Sequence, residues 1–596
     1  MPAALAGIFA LKLVVLWQLA DHPLLQPGGG LDADYYFHLA QRVAGGDLLL
    51  APGLYFVSPL YIYFLAAGLA VPGGSLFVVK VLQIALGAAA CGLVWLTARE
   101  WFGERAAWIA MAFAAFTGVF TFYEVLILQA ALDPFLTAFD LWLLTLALTR
   151  GGARWPLAAG AALALHSLNR PNLFLVGAGL GLMLFSRPGT RRTALAAALG
   201  AALVFLPVSL RNAVAAGTFM PIPSHGGLNL YIGNNPAADG TYRSVEGITP
   251  NIAGQAADAK RVAEQAEGRP LTDAEVSSHF TRRTLQWIRD RPADAARLLA
   301  RKVAFTLNHA FLTLNYSYPF YRDESAALRL LAVGPLILVP LGLVGLFTYW
   351  IRGEKPRAGY AVFAAAVPLL IVSIAIFFVA ARYRVPLLVP LCVTSGALLD
   401  ALVRAARARR TAAVPMAAAC VLAVGVIAGR DVKLDDARGE EETRMAVWLA
   451  SNGRAREAEA RLSRIRRDDP SLGVAHVRVG QALAAAGRPD EALEHYEAAV
   501  KIDPSEPAPR TALARLSGER GVALARQGRD ADALRHLARA ALLAAGDAPA
   551  QLNLAVQLAR MERYAEARAA ADRALKIDPD YARAREFLAA LDHARK

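Results

Sequence analysis

Apolar runs of the roughly 17–25 residues that a helix needs to cross a bilayer recur through the first 430 positions of this chain and stop after Gly429. A soluble core has no use for so many runs of that length, so the first part of the chain is read as polytopic and α-helical. Eleven spans are expected, at about 3–20, 77–97, 106–122, 126–148, 155–169, 171–186, 194–210, 328–350, 358–381, 385–403 and 411–428. The first lacks a basic leader region and an Ala-x-Ala cleavage site, so it is kept as a span rather than a signal peptide. At 56% hydrophobic and 19% charged residues the chain is not disordered, and its 596 residues allow more than one domain.

Charge orients the spans. The stretch Leu60–Val71 is short for a span and reads as a twelfth span, an interfacial helix or a re-entrant piece; if it does not cross, alternate short loops hold fourteen cations, among them Arg99, Arg105, Arg352, Arg404, Arg409 and Arg410. The opposite loops hold five: Arg42, Lys80, Arg170, Arg382 and Arg384. The positive-inside rule then puts the N-terminus in the cytoplasm of a bacterial inner membrane protein. It puts residues 21–76, the insertion 211–327 and everything after Gly429 on the outer face. Residues 430–596 hold 29 basic and 27 acidic side chains, so most of the +14 net charge lies in the membrane part and is topogenic. No basic stripe with interleaved aromatics is left for nucleic acid. Cys91, Cys392 and Cys420 all fall in apolar stretches and make neither a disulfide framework nor a metal motif.

Past a short linker (430–439) the sequence repeats itself. Arg454, Arg488, Arg529 and Arg563 each follow a turn and precede an alanine four residues on, at Ala458, Ala492, Ala533 and Ala567; each unit ends at an Asp with a proline directly or two residues after it. Two of the three intervals are 34 residues, and a helix-turn-helix of that period with small residues at the crossing points resembles the tetratricopeptide repeat. Four repeats are expected within 440–596 (440–473, 474–507, 515–548 and 549–582), with a closing helix and seven extra residues near Pro507–Leu513 that interrupt the array. Such an α-solenoid presents a groove for a peptide or protein, or serves as a spacer.

The chemistry-bearing residues collect on the expected outer face. Asp32 and Asp34 stand just beyond the first span, where a carboxylate can act as general base on an acceptor hydroxyl or ligate a hard divalent cation. Asp34 is also placed to cap a helix entered at Tyr35, which leaves Asp32 as the first catalytic candidate. Glu124, in a short apolar loop, is a second acid, or else a structural partner for an arginine. Arg382, Arg384 and Arg170 lie at outer span ends, suited to a phosphodiester or to ordinary lipid headgroups. His38 and His225 lack metal-ligand spacing; Asn229, Asn234 and Asn235 suit turns or sugar hydroxyls; Asp133 reads as a helix-start residue.

In order along the chain, Asp32 with Tyr36, Gly46-Asp47, Ser58 to Tyr61, Gln83, Trp101 to Arg105, Tyr123-Glu124, Arg211-Asn212, Gly226 to Pro236 and Arg382 to Pro386 resemble the C-type polyprenyl-phosphate-sugar glycosyltransferases, most closely their bacterial protein-mannosyltransferase-like members. The resemblance covers about residues 1–430. It implies inverting transfer of a sugar, hexose or mannose-like, from a polyprenyl-phosphate donor to a protein hydroxyl or glycolipid at the outer membrane surface. Asp32 would act at the acceptor as base or through a metal, with no cofactor certain and a divalent ion allowed. Arg382, Arg384 and Arg170 would hold the donor phosphate, and Tyr36, Tyr61 and Asn229 would touch acceptor or sugar. Two departures stand out: Ala33 where several relatives carry an acid, and Ser58 where aminoarabinose-transferring relatives carry a lysine.

The expected fold is thus all-α dominated: a polytopic membrane domain (1–429) of C-type glycosyltransferase architecture and an α-solenoid that recruits acceptor or partner. The competing reading is a non-catalytic membrane scaffold recruiting envelope proteins through its repeats. A transporter fits less well, because the spans show few ionisable residues and no inverted repeat.

Overall fold

The computed structural model describes residues 1–28, 31–221, 223–408 and 412–594; Arg409 and Arg410, two of the counted cations, lie outside the described residues. Met1–Asp436 form one compact unit and Ala437–Lys596 another. Both are helical, and among the described residues β-structure is limited to two isolated bridges.

In the first unit, α1 (Pro2–Leu19), α2 (Asp32–Ala44), α3 (Pro59–Ala70), α4 (Leu76–Phe102), α5 (Glu104–Phe116), α6 (Gly118–Glu124), α7 (Asp133–Thr149), α8 (Arg154–Ser167), α9 (Leu173–Ser186) and α10 (Arg191–Ala216) come first. The insertion supplies α11 (Gly226–Gly233), α12 (Ile252–Glu267), α13 (Asp273–Asp290), α14 (Pro292–Leu307), α15 (Tyr318–Glu324) and α16 (Ala326–Leu330). Then follow α17 (Pro335–Gly345), α18 (Thr348–Arg352), α19 (Tyr360–Ala375), α20 (Ala381–Arg407) and α21 (Ala413–Ala428). Among the described residues four helices, α1, α4, α10 and α20, are long and apolar enough to cross a bilayer, and α3, α9, α17, α19 and α21 are shorter apolar helices.

Several expected spans are broken. The run 106–122 divides at Thr117 into α5 and α6, the run 126–148 becomes helical only at Asp133, and the run 328–350 is shared by α16, α17 and α18. Two of the breaks satisfy each other: Val333 N–H donates to Phe116 O (3.0 Å) and Gly118 N–H to Val333 O (3.3 Å). Interrupted backbone survives among apolar helices when it is buried against protein that completes its hydrogen bonds. A Cβ on Gly118 would lie 2.5 Å from Leu331 O, so only glycine lets the two segments meet.

The twelve residues of α3 reach about 18 Å, against a hydrocarbon core of about 30 Å. Tyr61 Oη donates to Gln83 Oε1 (2.8 Å) and Gly68 packs on Val79, so both ends of α3 lie against the first turns of α4. Helices α8 and α10 cross tightly: a Cβ on Gly160 would lie 1.8 Å from Ala197 O, and one on Gly200 1.9 Å from Leu157 O. The 27 residues of α20 run about 40 Å. Arg382 and Arg384 stand in its first turn, and Asp400 near its other end gathers Arg105, Arg352 (2.5 Å) and Arg404 (2.7 Å).

The second unit is four helix pairs and a closing helix: α22 (Arg438–Ser451) with α23 (Ala455–Leu462), α24 (Leu472–Ala485) with α25 (Pro489–Ile502), α26 (Pro507–Arg526) with α27 (Asp530–Leu543), α28 (Ala548–Arg560) with α29 (Tyr564–Ile577), then α30 (Ala582–Ala594). Ala458, Ala492, Ala533 and Ala567 are all 0% exposed, which is what close helix crossing requires. Each repeated arginine precedes a second helix and pairs with an acid three residues on, as in Arg454–Glu457 and Arg563–Glu566. The seven extra residues do not interrupt the array; they lengthen α26 to 20 residues. The residue before the repeated arginine is left-handed in every repeat. It is glycine at 453, 487 and 528 but Glu562 (φ 59°) in the fourth. A side chain there costs about 1–2 kcal/mol, partly offset by glycine's greater unfolded-state entropy. Glu562→Gly is therefore expected to stabilise the repeats by up to about 1 kcal/mol, a rise of about 2–4 °C in the calorimetric transition of the full chain; an unchanged or lower transition contradicts the strain.

Candidate active site

Helix α2 begins at Asp32, three residues before the expected start at Tyr35, with Leu31 as a cap that offers no side-chain bond. Asp34 is therefore not the cap. It lies in the first turn with Asp32, where the helix dipole favours both carboxylates, and accepts from Gly28 N–H (2.5 Å). Asp32 is 350 residues from Arg382 in sequence, yet Arg382 Nη1 donates to Asp32 Oδ2 at 2.7 Å. Both residues are buried, and Arg382 Nε has no partner. Tyr383 lies between two guanidinium groups, with Arg170 4.9 Å and Arg382 5.4 Å from its ring centroid.

The pair opens on a cavity of about 60 Å³ whose lining includes Asp32, Tyr36, Ser58, His225, Asn229 and Arg382. A second cavity of about 70 Å³ adjoins it, sharing Gln129, His225, Asn229 and Tyr383 and adding Arg170. The walls carry buried polar atoms without partners, Ser58 Oγ and His225 Nδ1, which is an uncommon cost unless a ligand satisfies them. Burial pushes His225 down to about 4, so its imidazole is neutral at physiological pH. Tyr36 is held above the usual phenol range by burial and by the charge of Asp32, and stays a hydroxyl.

Behind these cavities lies a network that sequence reasoning missed. Arg170 Nε donates to Asp133 Oδ2 (2.7 Å) and Nη2 to Arg382 O (3.2 Å). With the Gln129 amide turned so that its nitrogen donates to Tyr36 Oη, its oxygen accepts from Arg170 Nη1 at 3.2 Å. Asn169 Nδ2 donates to Asp133 Oδ1 (2.8 Å), and His166 bonds Asp140 through Nδ1 (2.6 Å), with Nε2 3.7 Å from Asp133. Asp133, expected only to start a helix, starts α7 and also holds Arg170. The overlooked signal was Asp133 and Asp140, two acids seven residues apart and so on one face of an otherwise apolar helix.

Three candidates lie elsewhere. Glu124 is fully buried and receives two bonds from Lys12 Nζ (2.6 and 2.8 Å); its partner is a lysine, not an arginine, and it does not line the Asp32 cavity. A Cβ on Gly87 would strike the Glu124 carboxylate at 2.1 Å, so glycine makes the room for it. Arg384 points away from the cavity and donates to the carbonyls of Asn308 and Ala310, both at 2.5 Å. Tyr61 is buried, bonded to Gln83, and packs edge-on against Tyr36. His38 lines neither cavity; Asn234 and Asn235 bond main-chain carbonyls near their own turn. No three His, Cys, Asp or Glu side chains converge to hold a metal among the described residues, and the Asp32 oxygen nearest Arg382 already faces a cation. The donor set does not fit a divalent ion.

Residues 57–210, about a quarter of the chain, match the family described as dolichyl-phosphate-mannose-protein mannosyltransferase. Residues 473–516 and 548–581 match tetratricopeptide repeat models, so the chain carries a segment similar to that mannosyltransferase family and a repeat array. No curated protein matches it in sequence. Among solved structures, ArnT from Cupriavidus metallidurans bound to undecaprenyl phosphate aligns at 13% identity and TM-score 0.42, covering 84% of this chain and 80% of that one. The oligosaccharyltransferase AglB from Archaeoglobus fulgidus, in complex with an inhibitory peptide and a dolichol-phosphate, aligns at 15% identity and TM-score 0.37, covering 75% of this chain and 58% of that one. A MamA RS-1 double mutant aligns at 18% identity and TM-score 0.19, covering 27% of this chain and 85% of that one. At these scores the likenesses do not bear on the reaction.

Removing one partner of a buried ion pair leaves the other charge uncompensated, at a cost of about 3–5 kcal/mol. Asp133→Ala should therefore lower the melting temperature in detergent by several degrees, while Asp133→Asn, which keeps an acceptor for Arg170, loses less. Equal melting of both variants and the parent would show that Arg170 does not depend on Asp133.

Proposed function

We propose that this protein transfers a sugar from a polyprenyl-phosphate donor to an acceptor hydroxyl at the outer face of a bacterial inner membrane. The observation that carries the reading is the Asp32–Arg382 pair: a carboxylate in the first turn of α2 and a guanidinium in the first turn of the long apolar α20, held together on a cavity. Asp32 accepts the proton of the acceptor hydroxyl, whose oxygen attacks the anomeric carbon. The bond from that carbon to the phosphate oxygen breaks with its electron pair on phosphate, and the proton passes on to the leaving polyprenyl phosphate. Arg382, with Nε unpartnered, meets the developing phosphate charge, and Arg170 supports it through the Arg382 carbonyl. Asp32 is the one carboxylate among the described residues lining the cavity, which suits a single displacement and hence inversion; a two-step route through a glycosyl-enzyme would need a second carboxylate as nucleophile.

An apolar cavity of about 650 Å³ between α7, α8, α9, α10 and α19 suits the polyprenyl tail, and its polar floor, Asp140 and His166, leads through Asp133 to Arg170. The orientation follows from charge: Arg105, Arg352 and Arg404 crowd Asp400 at the end of α20 away from Arg382. The positive-inside rule favours that end in the cytoplasm, with Asp32 and the repeats outside. The repeats would recruit a protein acceptor or partner. A purely scaffolding role leaves a buried polar cavity with orphan atoms unexplained.

Purified protein given a polyprenyl-phosphate hexose, mannose first, should release polyprenyl phosphate and form an inverted glycoside. Asp32→Asn is expected to lower turnover of the folded fraction about 10²–10⁴-fold, with a fall in melting temperature no larger than that of Asp133→Asn, because the amide keeps an acceptor for Arg382. Full turnover in that folded variant would remove Asp32 from the reaction.

A further inference from the structure

A larger cavity, about 260 Å³, adjoins the Asp32 cavity and shares His225 and Val57 with it. It is far roomier than the ~10–15 Å³ a single water needs. One wall is α2, another the segment 50–57, and the third α12 and α13 of the insertion. The 50–57 wall is held from both sides. Arg211 donates to Leu49 O (2.7 Å) and Gly53 O (2.7 Å) and lies 3.9 Å from the Tyr55 ring centroid, while Asp273 accepts from Leu54 N–H (3.0 Å). Gly53 (φ 94°) is left-handed and a Cβ there would lie 3.1 Å from the Asp273 carboxylate, so the fit depends on glycine.

We infer that this cavity is the acceptor subsite, and that it takes a sugar ring of a glycan whose hydroxyl is delivered past His225 to Asp32. This rests on the glycosyl-transfer reading above. The lining mixes aromatic rings, Tyr35, Tyr55 and Phe56, with donors and acceptors of both kinds, Lys260, Ser277 and Asp273. Hydroxyls both donate and accept, and pyranose faces stack on aromatic rings, so a hydroxyl-rich ring fits this lining better than a hydrocarbon or a strongly charged group does. The charges nearly cancel: Asp273 is opposed by Lys260, and Arg42 is already paired with Asp47 (2.5 Å). His225, neutral and with Nδ1 buried and unpartnered, lines both cavities. Ser58 Oγ, unpartnered as well, follows on the Asp32 side. In the inferred route these two unpartnered atoms are the ones that receive the acceptor hydroxyl on its way to the carboxylate.

The test uses the full chain, a polyprenyl-phosphate hexose and two sets of acceptor probes, alkyl hexopyranosides and Ser/Thr peptides, with donor hydrolysis by water measured alongside. The parent is expected to glycosylate a pyranoside with saturation. Ala256→Trp, which projects an indole from α12 into the cavity, should lower the ratio of transfer to hydrolysis at least tenfold. Tyr35→Ala, which removes a stacking ring without adding bulk, should raise the KM for the pyranoside with less effect on kcat. Transfer to peptide alone, or an unchanged ratio in both variants while each keeps the parent melting temperature, overturns the subsite and leaves the glycosyl-transfer reading standing. A parent that neither transfers nor hydrolyses any donor while still binding undecaprenyl phosphate overturns that reading, and the subsite with it.

Discussion

A cation taken out of water has to be answered by an anion or by a row of carbonyl oxygens, and the first unit is organised around that requirement. Lys12 is answered by Glu124, Arg170 by Asp133, Arg352 by Asp400 and Arg382 by Asp32. Lys302, pushed down to about 8 by burial, has no carboxylate; its ammonium donates to Gly233 O, Asn234 Oδ1 and Phe377 O at the carboxyl ends of α11 and α19. These pairs join residues far apart in sequence and so fix which helices are neighbours. They also distinguish the sites. The Glu124 carboxylate spends both oxygens on Lys12, whereas Asp32 spends one on Arg382 and opens on a cavity.

Much of the architecture was legible in the sequence because it rests on local patterns. Apolar runs announce helices whatever they pack against, and the alanines at 458, 492, 533 and 567 recur because every repeat crosses its partner in the same way. Asp32 and Arg382 were legible as residue types at the ends of apolar runs, but not as a pair. Local patterns could not show the break at Thr117, since its sequence is as apolar as its surroundings and the hydrogen bonds that permit it come from Val333. Nor could they show Lys12 with Glu124, or His166 with Asp140, because the pairing of ionisable groups on different spans is decided by which helices touch. The seven residues at Pro507 read as an interruption because repeat period alone does not separate a loop from two added helical turns.

Arg382 and Arg384 show how fine the division is. Both occupy the first turn of α20, and two residues on a helix are about 200° apart, so they face opposite ways. One guanidinium reaches Asp32 while the other closes the end of α14 through Asn308 and Ala310. In the proposed reaction the two are not interchangeable. Arg384 fixes the insertion against α20, and Arg382 meets the phosphate.

The same coupling joins the donor and acceptor sides of the proposed site. Arg211, near the carboxyl end of α10, and Asp273, at the amino end of α13, hold segment 50–57 between them, and that segment runs directly into Ser58 and α3. Helix α10 lines the apolar cavity assigned to the lipid tail, and α13 lines the cavity assigned to the acceptor. Geometry held to a few tenths of an ångström is what lets a positioned base act on a hydroxyl, and such precision comes more readily from helices than from a free loop. By pinning the loop to two helices, the chain gives a short irregular segment the stiffness of the elements it joins.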